Sequence, residues 1–259
     1  MLQVIENTAP NLSTFDFFGE PVQLLLGESS KVKNLKVGFA FEPNSLSYAI
    51  TKLPSIVPHL EILTVSSTCE RVNTPLVADK FLHVKHLNIY LFDDDDGAVT
   101  PAYDYLSLAS FLDACAVLEC FILSVNQDDM QHDSVFGDAS SHLRQITVHK
   151  HDSIKKVQIN GFCSAKSIVE LTCHILENAT SLESLTLDCI FGAEAIGDSV
   201  RCSAQRSGKC KPKSRRMVLE AHKALSTIKS YILGRVPSAV KLNVGEPCSR
   251  CHAVDVKLP

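Results

Sequence analysis

The chain has 259 residues, 45% of them hydrophobic and 21% charged, with a formal net charge of −4 at pH 7. That balance is globular rather than disordered, allows one large core or two small ones, and gives no global attraction to nucleic acid or an anionic membrane. The first twenty residues have neither a basic segment nor an apolar core, and the apolar stretch ASFLDACAVLECFILSV is broken by Asp113 and Glu119, so no export signal and no membrane span are expected.

From the N-terminus, one pattern keeps returning: a leucine or its relative, then a short run ending in apolar–x–apolar. It reads SSKVKNLKV (29–37), LPSIVPHLEILTV (53–65), FLHVKHLNI (81–89), FLDACAVLECFIL (111–123), SIKKVQI (153–159), ATSLESLTL (179–187) and SAVKLNV (238–244). Anchored on the first apolar residue of each final triplet, the copies fall at Leu35, Leu63, Leu87, Phe121, Val157, Leu185 and Val240. Most spacings fit or slightly exceed a leucine-rich repeat of roughly 20–29 residues, and the longer ones call for insertions. Strand side chains alternate, so the outer residues of each triplet point one way and the middle residue the other.

Helical patterns lie between triplets. In 164–178, Ile168, Leu171, Ile175 and Leu176 share a face, with Ser164 as a candidate N-cap and Asn178 at the end. In 214–234, Val218, Ala221, Leu225, Ile228 and Ile232 step by three and four, between Ser214 as N-cap and Gly234 as C-cap. Short strands alternating with helices give a parallel sheet covered on one side, and at this period the expected fold is an α/β leucine-rich-repeat solenoid, a horseshoe with a concave sheet and convex helices. A doubly wound α/β domain is the alternative, but neither G-x-G-x-x-G nor G-x-x-x-x-G-K-[ST] occurs. The expected organisation is a repeat region over 1–200, a basic inserted loop over 201–213, and a C-terminal helix, last strand and cap over 214–259.

The segments APNLSTFDFFGEPVQLLLGESSKVKNLKV, LPSIVPHLEILTV, VQINGFCSAKSIVELTCHILENATSLESLTLD and KSYILGRVPSAVKLNVGEPCSRCHAV resemble plant F-box/leucine-rich-repeat proteins, over nearly the whole chain. The resemblance implies the substrate-recognition half of an SCF-type ubiquitin ligase receptor, in which an F-box docks on a Skp1-type adaptor and the repeats present a substrate. No F-box-like segment precedes these repeats, and Met1 falls in mid-repeat. The expectation is therefore a protein-binding module that reaches such an adaptor only indirectly, or a ligase-independent adaptor or truncated fragment. Its unknown protein partner is expected on the concave face, where the middle residues are Lys36, Thr64, Asn88, Ile122, Gln158 and Thr186, flanked by His86, Tyr90, Lys156 and Asn160.

The remaining motifs have plainer readings. Ten cysteines without an export signal suit a reducing compartment, cytoplasm or nucleus, and Cys115, Cys120, Cys173 and Cys189 read as small buried hydrophobes. The terminal Cys248, Cys251 and His252 form a C-x-x-C-H string, read as a structural cap. A zinc site with Cys202 and Cys210 is the alternative, and haem or thiol redox chemistry lacks the required surroundings. The acidic run Asp93–Asp96 reads as a solvated loop, and the cluster from Arg201 to Arg216 as a basic surface loop without aromatic residues for stacking on bases. GDS at Gly197–Ser199 resembles a lipase block without partners, and His149 and His151 read as lone surface histidines. No nucleophile, base and oxyanion donor assemble from the spacing, so no enzyme and no cofactor are expected.

Overall fold

The computed structural model describes residues 4–6, 9, 11–25, 31–39, 44–68, 70, 80–92, 103–126, 132–136, 142–146, 149–190 and 215–247. Eight strands form one parallel sheet. In chain order the ten strands among the described residues are β1 (Val4–Glu6), β2 (Thr14–Gly19), β3 (Gln23–Leu25), β4 (Asn34–Phe39), β5 (Ile62–Thr68), β6 (His86–Phe92), β7 (Cys120–Val125), β8 (Lys156–Asn160), β9 (Ser184–Asp188) and β10 (Lys241–Gly245). The large sheet runs β10-β9-β8-β7-β6-β5-β4-β2, while β1 and β3 pair separately. Neighbours in the sheet are neighbours in sequence, apart from β3 between β2 and β4, as stacked repeats require.

The register aligns the apolar triplets rung by rung. Leu35, Leu63, Leu87, Phe121, Val157 and Leu185 lie in one row, each with no exposed surface. Val37, Val65, Ile89, Leu123, Ile159 and Leu187 form a second buried row two residues on. Full burial of one such side chain contributes about 2 kcal/mol, so the two rows dominate the stability of the sheet. Two anchors change. Phe15 on β2 pairs with Leu35, which adds an earlier rung. At the other end Leu242, rather than Val240, pairs with Leu185. The Val240 amide donates to Pro237 O in a turn, and sheet pairing begins with the Lys241 amide on Glu183 O.

Among the described residues, four α-helices pack into the buried side: α1 (Ser45–Ile56), α2 (Ala109–Ala114), α3 (Lys166–Asn178) and α4 (Arg215–Thr227). Leu46, Ala49, Ile50 and Leu53 of α1 join the same core as the strand rows. At the start of α1, Asn44 is left-handed and offers no side-chain cap, and the Leu46 amide instead donates to the buried Glu70 Oε2 at 3.1 Å. Glu70 reaches that helix from beyond β5, and Ser67 also donates to it.

Helix α3 departs from its expected single face. Every residue from Ile168 to Leu176 is buried, because the 3-10 turn Tyr105–Leu108 packs against it and the 142–146 segment bonds to it. Its N-cap is Ala165 rather than Ser164, since the Ser164 hydroxyl is held by Ser134 at 2.8 Å and lies near His132. After α4 the chain continues through a π turn, Ile228–Ile232, and a 3-10 turn, Leu233–Arg235, so Gly234 does not terminate a helix in a left-handed conformation. Ser214, the expected cap of α4, lies outside the described residues.

Two local devices fix the repeat register. The residue two before each anchor donates its amide to its counterpart in the preceding repeat: Glu61 to Lys33, Lys85 to Glu61, Glu119 to Lys85, Lys155 to Glu119 and Glu183 to Lys155. These residues alternate in sign, and Lys33–Glu61 and Lys155–Glu119 close to 2.7 and 3.1 Å. Hydrogen bonds and charge from the lysines hold the Glu61 and Glu119 carboxyls below the usual range. A slip by one repeat would set like charges opposite one another. Beyond β8, Gly161 has φ +79°, and a Cβ there would fall 2.1 Å from Val125 O, so only glycine fits.

Candidate functional site

The middle residues of the triplets form one continuous row across the outward face of the sheet. Lys36, Thr64, Asn88, Ile122, Gln158 and Thr186 are mutual register partners across β4 to β9. The row extends to Asp16 on β2 and Asn243 on β10, two positions the sequence reading missed because their strands were unanchored or anchored two residues early. All eight side chains are at least partly exposed, which follows from the alternation that sinks the flanking leucines.

Many of these side chains hold one another. Asn88 Nδ2 donates to Thr64 Oγ1 at 3.1 Å, Asn243 Nδ2 to Thr186 Oγ1 at 3.4 Å, and Lys36 pairs with Asp16 at 3.4 Å. Gln158 donates to Asn160 Oδ1, and Asn160 Nδ2 donates to Ser124 Oγ at 3.0 Å. Asn160, expected beside the row as a contact residue, is itself buried. Ile122 is the apolar member of an otherwise polar row.

The neighbouring outward row carries larger relief. It runs Phe18, Gly38, Ser66, Tyr90, Ser124 across β2 to β7. Phe18 is 58% exposed and leans over Gly38, where a Cβ would meet its ring at 2.8 Å. Tyr90 stacks with Phe92 at 6.3 Å between centroids. Gly38 and Ser66, both buried, separate Phe18 from Tyr90 along this row. On the other flank of the row stand His86, Cys120 and Lys156. Cys120 is partly exposed, a correction to its reading as a buried hydrophobe, because Phe121 takes the inward position.

The helix side has a polar groove of about 420 Å³ between the 142–146 segment, α3 and the C-terminal turns, lined by Arg144, Glu170, His174, Tyr231 and Arg235. Its floor is a buried polar network. Glu170 accepts from the Arg144 amide at 2.7 Å, from its Nε at 2.8 Å and from Nη2 at 2.6 Å, while the same guanidinium grips Asp104 through two 2.8 Å bonds. Hydrogen bonds to those carboxylates raise the Arg144 pKa.

His151, expected as a surface residue, is buried, and its Nε2 lies 3.3 Å from Nε2 of His174. Asn178 donates to His174 Nδ1 at 3.2 Å, so Nε2–H of His174 is the donor to His151. Burial, together with the neighbouring His151, pushes His174 down to about 4, and burial lowers His151 against the attraction of Asp113. His149 pairs with Asp113 at 3.3 Å.

The zinc alternative through Cys202, Cys210, Cys248 and Cys251, with His252, lies outside the described residues, as do Asp93–Asp96, the GDS motif and residues 201–213. Among the described residues, one other group gathers metal-ligating atoms: His132, Cys163 and Glu220. No helix among those residues is long and apolar enough to cross a membrane.

A family model described as At1g61320/AtMIF1, LRR domain, matches residues 1–249 of the chain. No curated protein and no solved structure matches it.

Proposed function

The chain belongs to the At1g61320/AtMIF1 LRR domain family, and we propose that within this protein-interaction architecture it recognises a protein ligand on the concave strand face. The observation that carries the reading is the in-register row from Asp16 to Asn243, and on this reading its members Lys36, Thr64, Asn88, Ile122, Gln158 and Thr186 would make the contacts. The cross-strand bonds along the row fix its donors and acceptors before binding, which reduces the side-chain ordering that association costs. Ile122 and the aromatic rings of Phe18 and Tyr90 supply the apolar anchors that a polar row lacks.

The resemblance to plant F-box/leucine-rich-repeat proteins supports a finer reading, that of a ubiquitin-ligase substrate receptor acting in cytoplasm or nucleus. Contact with a Skp1-type adaptor would then run through an F-box carried by another segment or chain. Affinity purification from cells, with the tagged chain and its face variants in parallel, tests both levels. Asn88→Arg and Ile122→Asp are expected to lose a reproducible partner that Lys52→Glu, on helix α1, retains. Loss with Lys52→Glu alone would move the contact off the strand face. Adaptor and cullin in the eluate would support the ligase link, and a reproducible partner without them would make the chain a ligase-independent binder.

A further inference from the structure

Three segments far apart in sequence converge behind the end of β8. The 132–136 segment bridges to the turn before α3 through Ser134 and Ala165, with the Val135 amide on Ser164 O at 2.9 Å and the Lys166 amide on Asp133 O at 2.7 Å. Helix α4 brings Glu220 to the same turn, where its Oε1 accepts from the Ser164 amide at 2.8 Å and lies 3.3 Å from His132 Nε2. Cys163 sits fully enclosed beside them, and its sulfur takes a backbone hydrogen bond from Ala165. The three ligand atoms lie within 4.8 Å of one another.

We propose that His132, Cys163 and Glu220 bind one divalent ion of the zinc class, tying α4 and the 132–136 segment to the β8–α3 turn. The donor set supports this ion: imidazole nitrogen, thiolate sulfur and carboxylate oxygen together suit borderline-soft Zn2+, whereas Mg2+ and Ca2+ take oxygen alone. Bonds of zinc length place tetrahedral ligand atoms roughly 3.3–3.6 Å apart. The His132–Glu220 separation of 3.3 Å already meets that value, and closure requires the sulfur, which lies within 4.8 Å of both atoms, to approach to about 3.6 Å.

The outer contacts are in place as well. The Ser164 amide orients the carboxylate, and the Ala165 amide faces the sulfur, where it stabilises a thiolate. The Glu220 carboxylate accepts from the Ser164 amide, and that bond stays when the ion takes the place of the His132 contact, which suits an anionic ligand. Burial pushes the Cys163 thiol up to about 12. Zinc therefore displaces the thiol proton, which leaves to solvent as the Zn–S bond forms, and the Nε2 proton that His132 directs at Glu220 moves to Nδ1 or to solvent so that the Nε2 lone pair binds the ion. Lys223 lies 3.5 Å from Glu220 Oε2 and competes with the ion for that carboxylate. Three protein ligands leave a fourth position for water or for a donor from a partner.

The test uses the full chain with Cys202, Cys210, Cys248 and Cys251 all replaced by serine, so that the C-terminal thiols cannot contribute. After chelation it is titrated with Zn2+, and with Co2+ as a spectroscopic probe. One equivalent of Zn2+ per chain, a raised melting midpoint and a sulfur-to-cobalt charge-transfer band are expected. Cys163→Ala should abolish the band, and His132→Gln should weaken zinc binding by at least about tenfold, as loss of a direct ligand costs no less than loss of its support. His132→Gln changes a partly exposed segment, so circular dichroism that matches the parent keeps the comparison valid if Cys163→Ala does not fold. No bound zinc at micromolar free ion, or stoichiometry and affinity unchanged in His132→Gln, would overturn the proposal.

Discussion

Replacing Arg144 by alanine isolates the buried network under the helix-side groove. The Glu170 side chain has no exposed surface, and the substitution removes two of its bonds, from Nε at 2.8 Å and Nη2 at 2.6 Å, while the residue 144 amide at 2.7 Å stays. Breaking a buried ion pair from one side costs roughly 3–5 kcal/mol, because a charge is left uncompensated in low dielectric. Here the guanidinium is 49% exposed, so water can enter its place, and the retained amide still solvates one oxygen. The expected loss is therefore about 2–3 kcal/mol, just below that range. Urea unfolding followed by far-ultraviolet circular dichroism measures it, with Glu170→Gln and the double variant closing a cycle. A coupling energy of about 1–2 kcal/mol is expected, since the neutral amide no longer needs the cation. Additive losses, or a loss under about 0.5 kcal/mol for Arg144→Ala, would refute the view that arginine neutralises a buried charge.

Other consequences follow from the same geometry. Leu63→Ala should cost about 3 kcal/mol and the adjacent Thr64→Ala less than about 1, in the same urea assay, because only the first leaves a core cavity while the second loses one partly exposed hydrogen bond. Gly161→Ala should cost roughly 3 kcal/mol or more, combining left-handed strain with the contact on Val125 O, and a soluble chain of unchanged midpoint would contradict the turn described for it. The His151–His174 pair makes stability depend on acidity. With His174 lowered from 6.5 to about 4, the unfolded chain binds the extra proton between those values, so stability is full above about pH 6.5 and falls by up to about 3 kcal/mol on acidification toward pH 4. His174→Gln should flatten that slope. Lys85→Glu, which sets three acidic residues in succession along the strand entrances, should lower the thermal midpoint in low salt and recover much of the loss in high salt.

The fold was written in the chain because its main determinant is local. Each apolar–x–apolar triplet states which side chains enter the core, and repetition at a near-constant spacing states that the units stack. Lys36, Thr64, Asn88, Ile122, Gln158 and Thr186 follow from parity alone, and the ladder aligns them without exception. At the margins that logic weakened. Phe15 precedes a short gap and no anchored neighbour, and Val240 satisfies the apolar pattern as well as Leu242 does, so only backbone pairing separates them.

Tertiary structure decided the polar interior. Nothing local distinguishes Glu170 or His174 from the exposed side of an amphipathic helix, and Ile168, Leu171 and Ile175 account for one face by themselves. Those two residues are buried because segments dozens of positions away fold over the second face and bring Arg144 and His151 to meet them. The grouping of His132, Cys163 and Glu220 has the same origin, spanning three elements with no shared spacing. Apolar burial depends on pattern, which a sequence displays directly. Polar burial depends on finding a specific partner, and in a solenoid that partner arrives from another turn of the coil.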